Sequence, residues 1–347
     1  GGGGGGSHSI SSSNCFRDGV AVDSAAFGAS GGALSVRLLD EVGVVSVMDC
    51  LLCVLRSSNK DTRNAKVVAN VLRALGNTAR WLPVKTKTGT NLVFHSRWCE
   101  VASAITSELL HNGSHKCRWN ACYAIGNLLR SAELPHVLGV AGAMHYLSGM
   151  FNALLTVVNS EQTDQTTTAS SHSSSSSHSS SSNSSSSASS TLNFKVRINA
   201  ALALSVPNSR LHYGIWFIGV VQALVVSLEN FHRDQVAATQ REVRYRDILR
   251  AQLVSSLFHV LDLIEPEFAR HNSIGRFLIN KLNFLAKLLK GERARLTVTD
   301  EGESGTWCRQ EEQVEATYQH MLELYEVLDP NSMGLPEQFF HQASLPD

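Results

Sequence analysis

Several residues have the chemistry for a site, but their spacing does not assemble one. Cys50 and Cys53 form a CxxC, the spacing of half a zinc site or of a redox pair. No second Cys/His pair follows at a suitable distance, and the motif lies within the apolar run Val44 to Arg56, so both thiols are expected in core packing. His111 and His115 stand four apart, as two ligands on one helical face would, yet Asn112-Gly113 between them predicts a surface turn. His172 and His178 fall in a serine tract where a solvated loop is expected. Lys87-Thr88-Gly89 matches one element of a β-lactamase signature without its Ser-x-x-Lys partner. The chain carries neither a GxxxxGK phosphate loop nor a GxGxxG fingerprint. The expectation is a chain that is not an enzyme, with no catalytic residues, no metal site and no cofactor.

What does recur is a polar stripe. KVVANVLRALGN from Lys66, KCRWNACYAIGN from Lys116 and KVRINAALALSV from Lys195 align without gaps, sharing Lys, then Asn four residues on, then Ala and an aliphatic residue. The stripe comprises Lys66, Asn70 and Asn77, then Lys116, Asn120 and Asn127, then Lys195 and Asn199. At about 100° per residue, Cys117, Ala121, Ala124, Ile125 and Leu128 fall on one helical face and Lys116, Asn120, Tyr123 and Asn127 on another. The stripe, with Arg118 and Trp119, is either a groove for a partner or a set of residues that bond helix ends and loops of adjacent repeats. Both readings stand at this point.

The elements that must carry this stripe are helices. The first two starts are 50 residues apart and the next interval is 79; removing a Ser-rich insertion of roughly 30 residues restores the period. Helical patterns are expected at Val44 to Arg56, about Thr62 to Asn77, Ser96 to Leu110, His115 to Arg130, Tyr146 to Val158, Lys195 to Val206, Ile215 to Leu228, Glu242 to Ile264, 267 to 290 and Glu311 to Leu328. Pro83, Pro135 and Pro207 follow three of them, as helix stops do. Val84 to Phe94 reads as a loop. The organisation predicted is a Gly/Ser-rich lead-in over 1–40, helical repeats over 41–290 broken by a disordered Ser-rich loop over 160–192, and a charged linker, last helix and acidic tail over 291–347. Residues 170 to 190 contain 17 serines, which could accept phosphates.

Composition sets the remaining bounds. The 347 residues are 43% hydrophobic, enough for a sizeable core, and 30 basic residues balance 30 acidic ones. The balance hides an asymmetry: residues 60 to 130 carry 11 Lys/Arg against 3 Asp/Glu, and residues 300 to 347 carry 1 against 11. Seven dispersed cysteines, mostly in apolar runs, suit a reduced intracellular chain, cytoplasmic or nuclear. The longest apolar run, Ile215 to Leu228, is short of the roughly 20 residues needed to span a bilayer, so no membrane partner is expected.

The run RWNACYAIGNLLR, the stretch NTARWLPVKTKTGTNLVF, FNALLTVV and NFKVRINAALALSVP resemble the C-terminal region of the HEAT repeat-containing protein 6 family over roughly residues 60 to 265. The likeness departs at the Ser/His tract and fades after about Ile264. It implies an all-α fold, a HEAT/armadillo-like α-solenoid of stacked antiparallel helix pairs whose second helices line a concave surface. Armadillo proteins use asparagines on that surface to hold the backbone of an extended peptide. By that resemblance a protein or peptide partner is expected on Lys66, Asn70, Asn77, Lys116, Arg118, Trp119, Asn120, Asn127, Lys195 and Asn199. The alternative is a nucleic-acid-binding module using the basic region 60–130, through Arg63, Lys66, Arg73, Arg80, Lys85, Lys87, Lys116 and Arg118.

Overall fold

The computed structural model describes residues 41–57, 64–82, 85–86, 89–131, 134–139, 142–160, 185–231, 239–298 and 307–328. The chain divides into two units, Gly1–Val47 and Met48–Asp347. Of the first, the described residues 41–47 are the opening turns of helix α1, Glu41–Arg56. The lead-in over 1–40, most of the Ser-rich tract, including His172 and His178, and the tail beyond Leu328 lie outside the described residues.

In the second unit the described residues are helical apart from turns and one two-residue strand pairing. Met48, Leu52 and Leu55 of α1 are buried at helical spacing. Helix α2, Ala65–Ala79, starts at Asn64, whose side chain accepts from the Lys66 N–H at 2.9 Å. Between α2 and the next helix the expected loop contains β1, Lys85–Thr86, paired antiparallel with β2, Gly89–Thr90. Helix α3, Leu92–His111, begins four residues before the expected Ser96 because Asn91 caps it, accepting from Val93 and Phe94. The Asn112 turn is closed by its side chain, which accepts from Ser114 N–H at 2.8 Å and donates to Glu108 at 2.6 Å. Helix α4, His115–Leu129, follows.

Pro135 does not merely stop α4; it sits in a short helix, α5, Leu134–Leu138. Gly142, at φ 89°, admits the chain to α6, Ala143–Val158. Helix α7, Ser185–Leu204, starts ten residues before the expected Lys195, inside the tract read as disordered. Extending a formed helix costs far less than starting one, so serines can be drawn into it. A short α8, Arg210–Tyr213, and a 3-10 turn, Gly214–Trp216, precede α9, Phe217–Phe231. Arg210–Phe231 is long and apolar enough to cross a membrane by length and composition, while half of its apolar window is buried within the fold. Helix α10, Gln240–Leu261, opens with a capping box between Thr239 and Glu242. Then come α11, Pro266–His271, α12, Ser273–Asn280, α13, Leu282–Val298, and α14, Trp307–Leu328. The expected linker from Gly291 is therefore helical as far as Val298.

These helices pack in two rows. In one, α2 lies on α4, α4 on α7, α7 on α10 and α10 on α14; in the other, α3 lies on α6, α6 on α9 and α9 on α12. Contacts of α3 with α4, α6 with α7 and α9 with α10 join the rows. Between them sits an apolar layer that includes Phe94, Trp98, Ile105, Leu128, Leu154, Leu204 and Leu224. Phe151 stacks on Tyr213, Tyr213 meets Phe217 edge-on, and Phe217 meets Phe268, with centroids 5.4, 5.5 and 5.9 Å apart. Tyr213 satisfies its buried hydroxyl by donating to the Leu204 carbonyl at 2.8 Å. Away from this layer, Lys281 donates to both Glu229 oxygens at 2.8 Å, and Arg250 pairs with the buried Glu292.

Candidate functional site

The polar stripe lies on the row of α2, α4 and α7, and its members divide into three groups. Lys66, Asn70 and Lys116 are exposed. Asn120 and Asn127 are buried, at 2% and 3% exposure. The Asn120 amide donates along its own helix to the Lys116 carbonyl at 2.6 Å, and Asn199 repeats this with Lys195 at 2.8 Å. The remaining members bridge neighbouring helices. Asn77 accepts from the Asn127 amide at 2.7 Å and from the Tyr123 hydroxyl at 3.4 Å.

Burial and the Asn127 bond carry weight for the structural role of part of the stripe. A buried amide left without partners would cost about 1–3 kcal/mol, so Asn127 must bond to something, and what it bonds is Asn77 on the adjacent helix. Asn120 differs. Its carbonyl oxygen is buried and has no donor among the described residues. Its helix offers no free N–H at that level, since interior amides are already committed to the i−4 carbonyls.

Lys195 lies between two aromatic rings contributed by the neighbouring helices: its ammonium is 5.1 Å from the Trp119 ring centroid and 5.5 Å from that of Tyr245. Arg118 turns away from the stripe and donates from Nε to the Leu109 carbonyl at 3.0 Å, tying α4 to the end of α3. At its foot, His115 is held below the usual imidazole range by burial and then by the Arg118 charge. Further along the α2–α4 seam, Arg73 stands over Tyr123 at 5.9 Å and Arg80 over Trp81 at 4.7 Å.

Tyr245 and Arg130 belong to this face and are absent from the expected site, while Tyr123, which helical spacing placed on the face, was left out of the site. The 50-residue register was the available signal, because it pairs Arg73 with Tyr123, Asn77 with Asn127 and Arg80 with Arg130. Tyr245 had none: α10 does not repeat the Lys…Asn pattern.

Away from the stripe, the CxxC reading is corrected. Cys50 and Cys53 are exposed, because Met48, Leu52 and Leu55 form the buried stripe of α1 and the two thiols sit off it. Cys99, Cys117 and Cys122 are the packed ones. Burial, with Glu100 beside it, pushes the Cys99 thiol up to about 11, and burial pushes Cys122 up to about 12. His111 is exposed as the last residue of α3, with the Asn112 turn between it and His115. Among the described residues no group of three or more His, Cys, Asp or Glu is placed to hold a metal ion.

No protein-family profile matches the chain. It is similar to an uncharacterised protein of Dictyostelium discoideum, 28% identical over 152 residues, which is 42% of this chain and 8% of that protein. The match thus spans less than a tenth of the relative's length.

Proposed function

We propose that the Met48–Asp347 unit is a HEAT/armadillo-like α-solenoid that binds a protein or extended peptide along the face lined by α2, α4, α7 and α10. The observation that carries the reading is the composition of that face: exposed Lys66, Asn70 and Lys116, with Lys195 held between Trp119 and Tyr245. The two-row packing and the sequence resemblance support the repeat class. Aromatic residues and fixed cations at a surface are the residue types that anchor partners. The buried Asn127 and the self-bonded Asn199 support a narrower site than the full stripe, centred on Lys116, Trp119 and Lys195. The dispersed thiols, three of them buried, suit a reduced intracellular setting.

Affinity capture tests this with the Lys116→Glu, Lys195→Glu double variant, which changes side chains that are not deeply buried. Asn120 is left intact, and thermal melts of the variant separate a loss of partners from a loss of fold. Partners retained by wild type and dropped by the variant are expected. Identical partner sets would overturn the reading, and capture only of nuclease-sensitive complexes would favour the nucleic-acid alternative.

A further inference from the structure

Arg80 and Arg130 occupy the same place in adjacent repeats. Each follows the last residue of its helix, α2 and α4, and each N–H closes that helix on a glycine carbonyl, Gly76 at 3.2 Å and Gly126 at 3.0 Å. The two helix ends are locked at one level. One turn earlier the Asn127 amide donates to Asn77, and just beyond, the Ser131 hydroxyl donates to the Arg80 carbonyl at 3.0 Å. The Trp81 ring, 49% exposed, lies under the Arg80 guanidinium, whose central carbon is 4.7 Å from the ring centroid. Among the described residues neither guanidinium pairs with a carboxylate, which is also true of Arg73, Arg118 and Arg244; what sets Arg80 and Arg130 apart is that they stand at adjacent helix ends. Partial burial first, and then the Arg130 charge, lower the Arg80 pKa, so the two cations are near enough to repel.

A cation at a helix C-terminus is favourable singly. That accounts for each arginine alone and not for two at adjacent helix ends with no carboxylate paired to either among the described residues. Placing them so costs stability unless an anion joins them.

We propose that Arg80 and Arg130 form a clamp for a phosphomonoester on a partner polypeptide, set at one end of the face described above. This deepens the peptide-binding reading and rests on it. A phosphomonoester fits better than a carboxylate because its charge is near −2 at neutral pH and its three oxygens can satisfy two guanidinium forks, where a carboxylate satisfies one.

The test follows the arginine Nε–H signals of the labelled full chain by NMR during titration with O-phosphoserine, N-acetylglutamate and a uridine decamer. O-Phosphoserine is expected to shift Arg80 and Arg130 saturably, with at least tenfold tighter binding than N-acetylglutamate. The Arg80→Gln, Arg130→Gln variant should weaken it tenfold or more, and the Arg80→Lys, Arg130→Lys variant should keep part of the binding. Thermal melts of both variants confirm that the fold is intact. Shifts spread evenly over exposed arginines such as Arg244, unchanged affinity in the folded Gln variant, or decamer binding tighter than O-phosphoserine binding at the same two signals would overturn the clamp. Because the probe is a single amino acid, such a result would leave the peptide-binding face to be judged by its own capture experiment.

Discussion

Asn127 is nearly inaccessible, and its amide reaches Asn77 across the seam between α4 and α2. Its contribution is therefore measurable as a coupling between two positions. Single Asn77→Ala and Asn127→Ala variants and their double should show about 0.5–1.5 kcal/mol of interaction energy in urea unfolding. Strict additivity would mean the bond contributes nothing. Cys122 gives a second residue-level test, through pH. Its thiol ionises near 9 when unfolded and is pushed up to about 12 in the fold, chiefly by burial. The unfolded state then loses its proton first. Stability from this group is full below about pH 9 and falls as pH rises toward 12, by about 1.4 kcal/mol per pH unit once well above 9. Tyr213 and Tyr325, both raised by burial, act in the same direction. Urea midpoints at pH 8 and pH 10 should differ accordingly, and Cys122→Ala should reduce the difference. The exposed Cys50 and Cys53 should react with iodoacetamide at pH 8 while Cys99, Cys117 and Cys122 are spared in the folded chain.

At the scale of elements, the stacking of second helices is set by how closely their backbones approach, and two glycines at one repeat position show opposite limits. A Cβ on Gly76 would lie 2.6 Å from the Ala124 Cα, so α2 and α4 must separate to admit it. The same atom on Gly126 would meet the Ala203 Cβ at 3.5 Å, an ordinary contact. Gly76→Ala is expected to destabilise by about 1–3 kcal/mol, and Gly126→Ala to be neutral or to stabilise by up to about 1 kcal/mol through helix propensity. Thermal melts of the two variants decide it, and equal effects would contradict the packing described. The sequence told only part of this. Ala121, Ala124 and Gly126 are small enough for a neighbouring helix to come close, but the difference between the two seams depends on backbone positions that no local pattern encodes. Helix existence was legible from apolar spacing. Starts were missed where a side chain outside the periodic segment decided them: Asn91 caps α3, and Ser185 to Ser190 extend α7 without any apolar signal of their own. Cys50 and Cys53 were misplaced for the complementary reason. Nearly every residue of VVSVMDCLLCVLR is apolar, so the pattern could not say which side of α1 faces inward.

For the unit as a whole, the repeat register did more than any motif. It located the row of helices and, followed across the seam, it also pairs Arg73 with Tyr123 and Arg80 with Arg130. It could not find Tyr245, because α10 packs on α7 without repeating its sequence, and so the second ring over Lys195 was invisible. The central claim is that partners meet the second-helix row and not the first. Photo-crosslinking tests it most directly, with a benzoylphenylalanine placed singly at Lys66, Lys116 and Lys195, and at Ser107, Asn152 and Val226, which are exposed on α3, α6 and α9. The account predicts adducts to a common polypeptide from the first three positions and none from the second three. Adducts from the α3, α6 and α9 positions, or equal yields from both rows, would contradict it.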